Sequence, residues 1–458
     1  MSAKTTRLQG SSSNSTICAV STAPGQGAIG VVRLSGDKTI SIINAVFSKD
    51  LSMVQSHTVH HGFIKHGEKV LDEVVVTVFK DPHSYTGEDV VEISCHGSSY
   101  ILRELVHLLV QQGATPAGPG EFSQRAFLNG KMDLSQVEAV ADLIAANAAG
   151  AHKVAMNQMR GGFSKKIAGL REELIKFASL LELELDFSEE DVEFADRKEF
   201  FALLQRIRAE VDALIESFKL GNVLKNGVPV VIIGVPNVGK STLLNVLLNE
   251  NRAIVSEIPG TTRDAIEDEV VIDGMLFRFI DTAGIRETKD HIELIGIEKT
   301  WEKVNEAEII IYLFDAREYA QAEKFITALQ KKIAGKGKKL IPVANKSDLA
   351  TDLPEKVISI SATGGKNIDK LKALLVDYVS SLNHGNYDII VTSARHVDAL
   401  QQVRTSVDAI EKAMKDKLPG DLVAVDVRKA LHQLGLITGT ISTEDLLGFV
   451  FSKFCIGK

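Results

Sequence analysis

Gly234, Gly239, Lys240 and Ser241 are spaced as a phosphate-binding loop requires. The run Gly234-Val-Pro-Asn237-Val238-Gly239-Lys240-Ser241-Thr242 reads Gly-x-x-x-x-Gly-Lys-Ser. Glycines let successive backbone N–H groups turn inward and close on phosphate oxygens. Lys240 supplies a point charge to the outer phosphates, and the Ser241 hydroxyl is placed to coordinate Mg²⁺. Asn237 adds one more oxygen. Further along, Asp281-Thr282-Ala283-Gly284 offers a carboxylate for the Mg²⁺ hydration shell and a glycine amide for the γ-phosphate. Asn345-Lys346-Ser347-Asp348 offers a carboxylate that can read a base. Asp348 can accept from the ring N–H and the exocyclic amine of guanine, a donor pair that adenine lacks. Such a site rejects the wrong base by on the order of 10⁴-fold. Ser361-Ala362-Thr363 would back the guanine with main-chain amides. One of these motifs alone is weak; all of them in order point to a guanine-specific hydrolase whose substrate is GTP.

These groups need a scaffold that brings them to one edge. Val228 to Gly234 is mostly apolar and ends at the loop. Leu243, Leu244, Val246, Leu247 and Leu248 follow at helical spacing, and the start of that helix adds its positive dipole end. Met275 to Ile280 is preceded by Asp273-Gly274, a hairpin-turn signal, and ends at Asp281. Leu340 to Ala344 ends at Asn345, and Val357 to Ile360 ends at Ser361. Each motif therefore closes a strand, where open parallel sheets bind ligands. A glycine-rich turn without a ligand is the bland alternative, weakened by the strand and helix that flank it.

Two details depart from a Ras-like switch. Ile285 follows Gly284, and an aliphatic side chain cannot orient the attacking water as a glutamine does. The loop Ser256-Glu257-Ile258-Pro259-Gly260-Thr261-Thr262-Arg263-Asp264 lies where the first switch belongs. Thr262 can reach Mg²⁺, and its neighbours offer carbonyls and hydroxyls, which suit a hard cation.

A chain of 458 residues has room for two or three domains. Its 24% charged and 45% hydrophobic residues are ordinary for a globular protein. The net charge of −8 lacks the basic balance of a protein that grips nucleic acid alone. Any RNA contact is thus expected to be local or shared with a partner. Cys18, Cys95 and Cys455 form no metal spacing, which predicts free thiols and a reducing, cytoplasmic setting. No apolar run reaches membrane-spanning length.

Residues 1–15 read as a flexible tail without the apolar core of a signal peptide. Residues 16–131 mix strands (Ile29 to Leu34, Glu73 to Phe79, Val90 to Ile93) with a helix (Ile101 to Val110), an α+β pattern. Residues 132–226 turn helical, with Val137, Val140, Ala141, Leu143 and Ile144, then Leu170, Leu174, Phe177, Leu180 and Leu181, at helical spacing. The acidic stretch 188–193 reads as a solvated turn. Residues 227–383 form the nucleotide domain. Residues 384–458 are helical again, through Val397, Leu400, Val403, Val407 and Ile410, then Leu431, Leu434 and Ile437. Neither helical stretch looks complete alone. The expected fold class is therefore α/β and α: a P-loop GTPase domain with a mostly parallel sheet, inserted in a helical domain and preceded by an α+β domain.

Asn237, Gly260-Thr-Thr-Arg-Asp264 and Asp281-Thr-Ala-Gly-Ile-Arg286 resemble the TrmE-Era-EngA-Septin-like GTPases. Tyr85-Thr-Gly-Glu-Asp89, Pro119-Gly-Glu-Phe-Ser-Gln-Arg-Ala-Phe-Leu-Asn129 and Phe454-Cys-Ile-Gly-Lys458 resemble one family among them, the MnmE (TrmE) tRNA-modification GTPases. The resemblance runs from about Thr16 to the last residue. It implies that the N-terminal domain resembles the folate-binding domains of one-carbon enzymes and makes a homodimer. Arg33, Glu92, Lys131 and the terminal Lys458 would then hold 5,10-methylene- or 5-formyl-tetrahydrofolate. Read alone, Arg33 and Glu92 are ordinary surface charges. A basic group does suit the glutamate tail of a folate, and a carboxylate suits its pteridine N–H groups.

The resemblance also implies that Glu293 orients the hydrolytic water through an intermediate water, replacing the glutamine absent at Ile285. It implies K⁺ held by Asn237, Ser256, the Ile258 carbonyl and Thr261, an internal substitute for an arginine finger. That site would complete when two nucleotide domains meet. The C-terminal tail would reach the folate site, where a Cys455 thiol can act in one-carbon chemistry. Its default role is a buried small hydrophobe, and Cys-Ile-Gly-Lys fits a prenylation box poorly. His96 beside Cys95 is read as a core or loop histidine.

The implied activity is K⁺-dependent GTP hydrolysis coupled to tRNA modification. With an FAD-dependent partner, MnmG, in a heterotetramer, it would add an aminomethyl or carboxymethylaminomethyl group at carbon 5 of the wobble uridine of certain tRNAs. One alternative is a ribosome-assembly switch of the Era or EngA type, but those carry a KH-type module or a second nucleotide domain. Another is a scaffold whose GTPase times assembly, against which the tail Cys455 to Lys458 argues.

Overall fold

The computed structural model describes residues 15–186, 197–251, 267–280, 295–349, 353–354, 357–383, 387–452 and 454–457. The chain separates into two compact units, Met1–Ala141 with Gly435–Lys458, and Asp142–Leu434.

The first unit is built on a six-stranded sheet of order β3-β4-β5-β2-β1-β6. Its strands are β1 (Ile17–Val20), β2 (Ile29–Ser35), β3 (Thr58–His66), β4 (Lys69–Phe79), β5 (Val90–His96) and β6 (Thr115–Pro116). Only β6 pairs in parallel, with β1. Side chains alternate across an antiparallel sheet, so each strand presents two chemistries. Val32 and Leu34 of β2 and Val91, Ile93 and Cys95 of β5 join a core with the helices Thr39–Val46 and Ser99–Gln111. Arg33 and Glu92 occupy the opposite parity. On β1, Cys18 packs in the first core while Ile17 and Ala19 pack with Phe122 and Tyr85. Leu134 and Val137 pack with Val450, Phe451 and Phe454, tying the C-terminal helix Glu444–Phe451 into this unit.

The second unit carries a sheet of order β12-β11-β10-β7-β9-β8. Its strands are β7 (Val228–Ile233), β8 (Asp268–Ile272), β9 (Met275–Phe279), β10 (Ile309–Asp315), β11 (Lys339–Asn345) and β12 (Ile358–Ser359). All neighbours are parallel except the β8–β9 hairpin. Asp273 and Gly274 form its two-residue turn with φ of 48° and 75°, as a right-twisted hairpin requires. Every residue of β10 is buried, because helices cover both faces. Leu243 and Leu247 of the helix Lys240–Asn251 and Leu371 and Leu375 of the helix Ile368–Ser381 pack on one face. Val304 of the helix Ile295–Glu306 and Ile326 and Leu329 of the helix Tyr319–Ile333 pack on the other.

Long helices complete this unit. Arg197–Asn226 packs beside Ala394–Lys415, with Ile207, Val211, Val403, Val407 and Ile410 all buried. At their margin Arg208 meets Asp408 at 3.2 Å and Arg404 meets Asp212 at 3.0 Å. These half-exposed pairs each add at most about 1 kcal/mol; the apolar seam does most of the joining. The parallel sheet, the helices and the antiparallel α+β body are those of the expected fold class. Among the described residues, no helix is long and apolar enough to cross a membrane.

Candidate functional site

The loop after β7 turns sharply at Asn237, with φ of 64°, and Gly239, with φ of 97°. The helix Lys240–Asn251 starts at once, its first Gly239 carbonyl accepting from the Leu243 N–H at 2.9 Å. Gly239 has a second reason to lack a side chain: a methyl carbon there would lie 2.3 Å from Asn345 Nδ2. Asn345 ends β11 and is buried. Its Nδ2 donates to the Val238 carbonyl at 2.8 Å, and its Oδ1 accepts from the Ala362 N–H at 3.0 Å. One amide side chain thus fastens the phosphate loop, the end of β11 and the turn after β12 together. Lys240 Nζ donates to the carbonyls of Gly234 at 2.8 Å and Val235 at 3.1 Å. Burial draws its pKa below the usual lysine value.

The segment Asn345 to Asp348 leaves the same sheet edge. Lys346 has φ of 60°, and its Nζ meets Asp315 Oδ2 at 3.0 Å. Asp315, the last residue of β10, also accepts from Arg317 Nε at 2.9 Å and Nη2 at 2.7 Å. The Arg317 guanidinium, with Lys346, holds the buried carboxyl well below the usual range. Ser347 donates its N–H to the Ile360 carbonyl at 3.0 Å, and its buried hydroxyl has no partner among the described residues, as a group awaiting a ligand or water would. Asp348 is exposed at this edge. Ser361 and Ala362 are buried while Thr363 is exposed. Ser361 and Lys366 exchange backbone hydrogen bonds at 3.2 and 3.1 Å, which close the turn.

The structure thus gathers Asn237 to Thr242, Asn345 to Asp348 and Ser361 to Thr363 at one edge. Ser256 to Thr262, Asp281 to Gly284, and Glu293 lie outside the described residues. Asp315 was not singled out from the sequence. Its signal is the apolar run Ile309 to Phe314 closing on a carboxylate, the same pattern that marks the other strand ends.

A second constellation stands on the first unit's sheet. Arg33 and Glu92 are directly opposite across β2 and β5, and Glu92 Oε1 accepts from Arg33 Nη2 at 2.8 Å and Nε at 2.9 Å. The guanidinium lies over the rings of Tyr85 at 5.4 Å and Phe122 at 5.5 Å. Tyr85 Oη is 2.8 Å from Ser123 Oγ. Arg125 bridges Glu88 at 3.3 Å and Glu121 at 2.9 Å, and Ser35 Oγ donates to Glu88 at 2.6 Å. These bonds knit the loop Tyr85 to Asp89 to the helix Glu121–Leu128. Lys131 is exposed and donates to the Pro82 carbonyl at 2.8 Å. In the sequence Tyr85 and Phe122 stand only within motifs; the ring platform forms where the loop Tyr85 to Asp89 meets the helix Glu121–Leu128.

The C-terminal tail runs along this unit. Ile456 bridges Pro119, the Cys455 carbonyl accepts from the Gly120 N–H at 3.4 Å, and Ser21 Oγ donates to the Gly457 carbonyl at 3.1 Å. Gly457 has φ of 98°, and a methyl carbon there would lie 2.2 Å from the Val20 carbonyl oxygen. Cys455 is exposed and free; Lys458 lies outside the described residues. Cys95 is buried and bonded to the Gly30 carbonyl, whereas His96 faces outward to Asp72 at 2.7 Å, so the two do not pair.

Comparison with known proteins covers both constellations. Residues 16–131 match the family described as GTP-binding protein TrmE N-terminus, and residues 134–455 match the MnmE helical domain. A tRNA modification GTPase MnmE of Flavobacterium johnsoniae is 52% identical over 96% of this chain and 99% of its own. The tRNA modification GTPase MnmE of Cytophaga hutchinsonii is 53% identical over 97% of this chain and 98% of its own. The FeoB G-domain from Methanococcus jannaschii is similar over 33% of this chain and 98% of its own, at 23% identity and a TM-score of 0.24, too low to bear on the assignment. At half identity over nearly the whole length, with the phosphate loop and the N-terminal motifs both in place, this chain belongs to the MnmE (TrmE) family of tRNA modification GTPases.

Proposed function

We propose that this chain hydrolyses GTP to drive modification of carbon 5 of the wobble uridine in certain tRNAs. It would work with the FAD-dependent partner MnmG, as a homodimer within a heterotetramer in the cytoplasm. The observation that carries the nucleotide half is the Asn345 side chain, which binds the phosphate loop to the base-reading turn. Family membership carries the tRNA half.

Within the nucleotide site, loop amides and the helix dipole bind phosphate charge. Lys240 is poised to exchange two loop carbonyls for phosphate oxygens. Asp348 selects guanine, and Lys346, fixed by Asp315, flanks it. Ser241 and Thr262 suit Mg²⁺; Asn237, Ser256, the Ile258 carbonyl and Thr261 are oxygen donors suited to K⁺. Such cations supply fixed positive charge against the charge that develops on the phosphates. Glu293 orients the water.

On the other unit, tetrahydrofolate would supply the one-carbon unit. A planar donor–acceptor pair on a ring platform suits a flat heterocycle with an acidic tail. Arg33 and Glu92 fit that description, with Tyr85 and Phe122 beneath. Lys131 and Lys458 add positive charge for the tail, and Cys455 offers a thiol beside it.

Mass spectrometry of tRNA nucleosides tests this reading. Deleting the gene should remove the 5-substituted wobble uridine, and a wild-type copy but not Lys240→Ala should restore it. Unchanged nucleosides on deletion overturn the proposal.

A further inference from the structure

Five lysines crowd nine residues, Lys331, Lys332, Lys336, Lys338 and Lys339, in a chain whose net charge is −8. They span the end of the helix Tyr319–Ile333, a turn with left-handed Gly335 and Gly337, and the start of β11. Lys338 is committed: its Nζ donates to the carbonyls of Asn305 at 2.7 Å and Ala307 at 2.6 Å, closing the end of the helix Ile295–Glu306. The other four are exposed. Beside them lies Trp301, the chain's single tryptophan, with Lys332 Nζ 3.3 Å from its ring centroid. Trp301, Lys332 and Lys336 line a cavity of about 380 Å³ floored by Val304 and Ile333. The facing helix offers the carboxylates of Glu302 and Glu306; Glu308 is engaged by Lys219 at 3.5 Å and by Tyr378. Among the described residues, positive charge therefore exceeds negative on this face.

We propose that the Lys331–Lys339 cluster and Trp301 form an RNA-docking surface on the nucleotide domain, the lysines holding phosphates and the indole offering a stacking face as Lys332 turns from it to a phosphate. Exposed lysines beside an aromatic ring are the pattern of single-strand and loop recognition, in which charge follows the backbone and a ring accepts a base. The patch is compact, which fits a chain that is acidic overall. The choice of RNA over another polyanion rests on the tRNA reading above.

The single tryptophan makes the test direct. The full chain is titrated with an unmodified tRNA transcript while Trp301 emission is followed, and affinity is measured by filter binding at rising salt. A saturable change in emission is expected. With three lysine–phosphate contacts, a fourfold rise in salt weakens binding by about 20- to 40-fold. The triple variant Lys331→Glu, Lys336→Glu, Lys339→Glu should bind about tenfold or more weakly, with a shallower salt slope, and keep its basal GTP hydrolysis. Equal tRNA affinity in variant and wild type, a silent Trp301, or a response to anionic phospholipid vesicles but not to tRNA would each overturn the proposal. If the variant binds normally and cells still modify the wobble uridine, only this surface is wrong. If tRNA docks here and deletion leaves nucleosides unchanged, only the modification reading is wrong.

Discussion

Gly239 and Asn345 are packed so closely that a methyl carbon on the glycine would lie 2.3 Å from the amide nitrogen of the asparagine. The residue that shapes the phosphate loop and the residue that opens the segment Asn345 to Asp348 are thus one mechanical unit. Asn345→Ala leaves the Val238 carbonyl and the Ala362 N–H buried and unpaired, each at a cost of about 1–3 kcal/mol. GTP affinity should fall by about tenfold or more, measured by titration with a fluorescent guanine nucleotide. Wild-type affinity in that variant would show that the staple is incidental.

Asp315 links acid stability to the nucleotide site. Its carboxyl is held below the ordinary value by Arg317 and Lys346. A depressed carboxylate stabilises the fold above its unfolded pKa of about 3.9, and that stability is lost as pH falls toward the folded value. Asp315→Asn should therefore flatten the acid limb below about pH 4 in chemical-denaturation midpoints. Since it also releases Lys346, KM for GTP should rise more than kcat falls. An unchanged acid limb would contradict the ion-pair account.

Thiol chemistry should distinguish the three cysteines. Burial pushes the thiols of Cys18 and Cys95 up to about 11, whereas Cys455 is exposed. The thiolate is the reactive form. A disulfide reagent should modify one thiol quickly in the native protein, and Cys455→Ser should abolish that phase.

Gly457 should matter without touching GTP. Its left-handed backbone and the Val20 carbonyl both exclude a side chain. Gly457→Ala is expected to displace the tail, reduce wobble-uridine modification and leave GTP hydrolysis intact. Equal loss of both activities would mean that the tail supports the fold rather than the chemistry.

Much of this was legible in the sequence because parallel strands covered on both faces read as apolar runs. Leu340 to Ala344 and Val228 to Ile233 announce themselves, and the motif residues sit where those runs stop. Less was legible where pairing is distant. Arg33 and Glu92 are 59 residues apart, and their contact exists only through the register of β2 with β5. The strand Thr58–His66 lies at an edge and interleaves three histidines and a lysine with its apolar residues, so it carries no apolar run to read. Asp315 was hidden for a related reason: Arg317 is only two residues away, but Lys346 meets the carboxylate only when β10 and β11 lie side by side.

The central claim is that the aligned strand ends form a guanine-selective site read by Asp348. The direct measurement is steady-state hydrolysis of GTP, ATP and XTP by the wild type and by Asp348→Asn. Xanthine carries a carbonyl where guanine carries its exocyclic amine, so an asparagine amide can donate where the carboxylate accepted. The wild type should prefer GTP over XTP by on the order of 10⁴-fold in kcat/KM, and the variant should lose or reverse that preference. A variant that turns over GTP like the wild type, or a wild type that uses ATP as well as GTP, would contradict it.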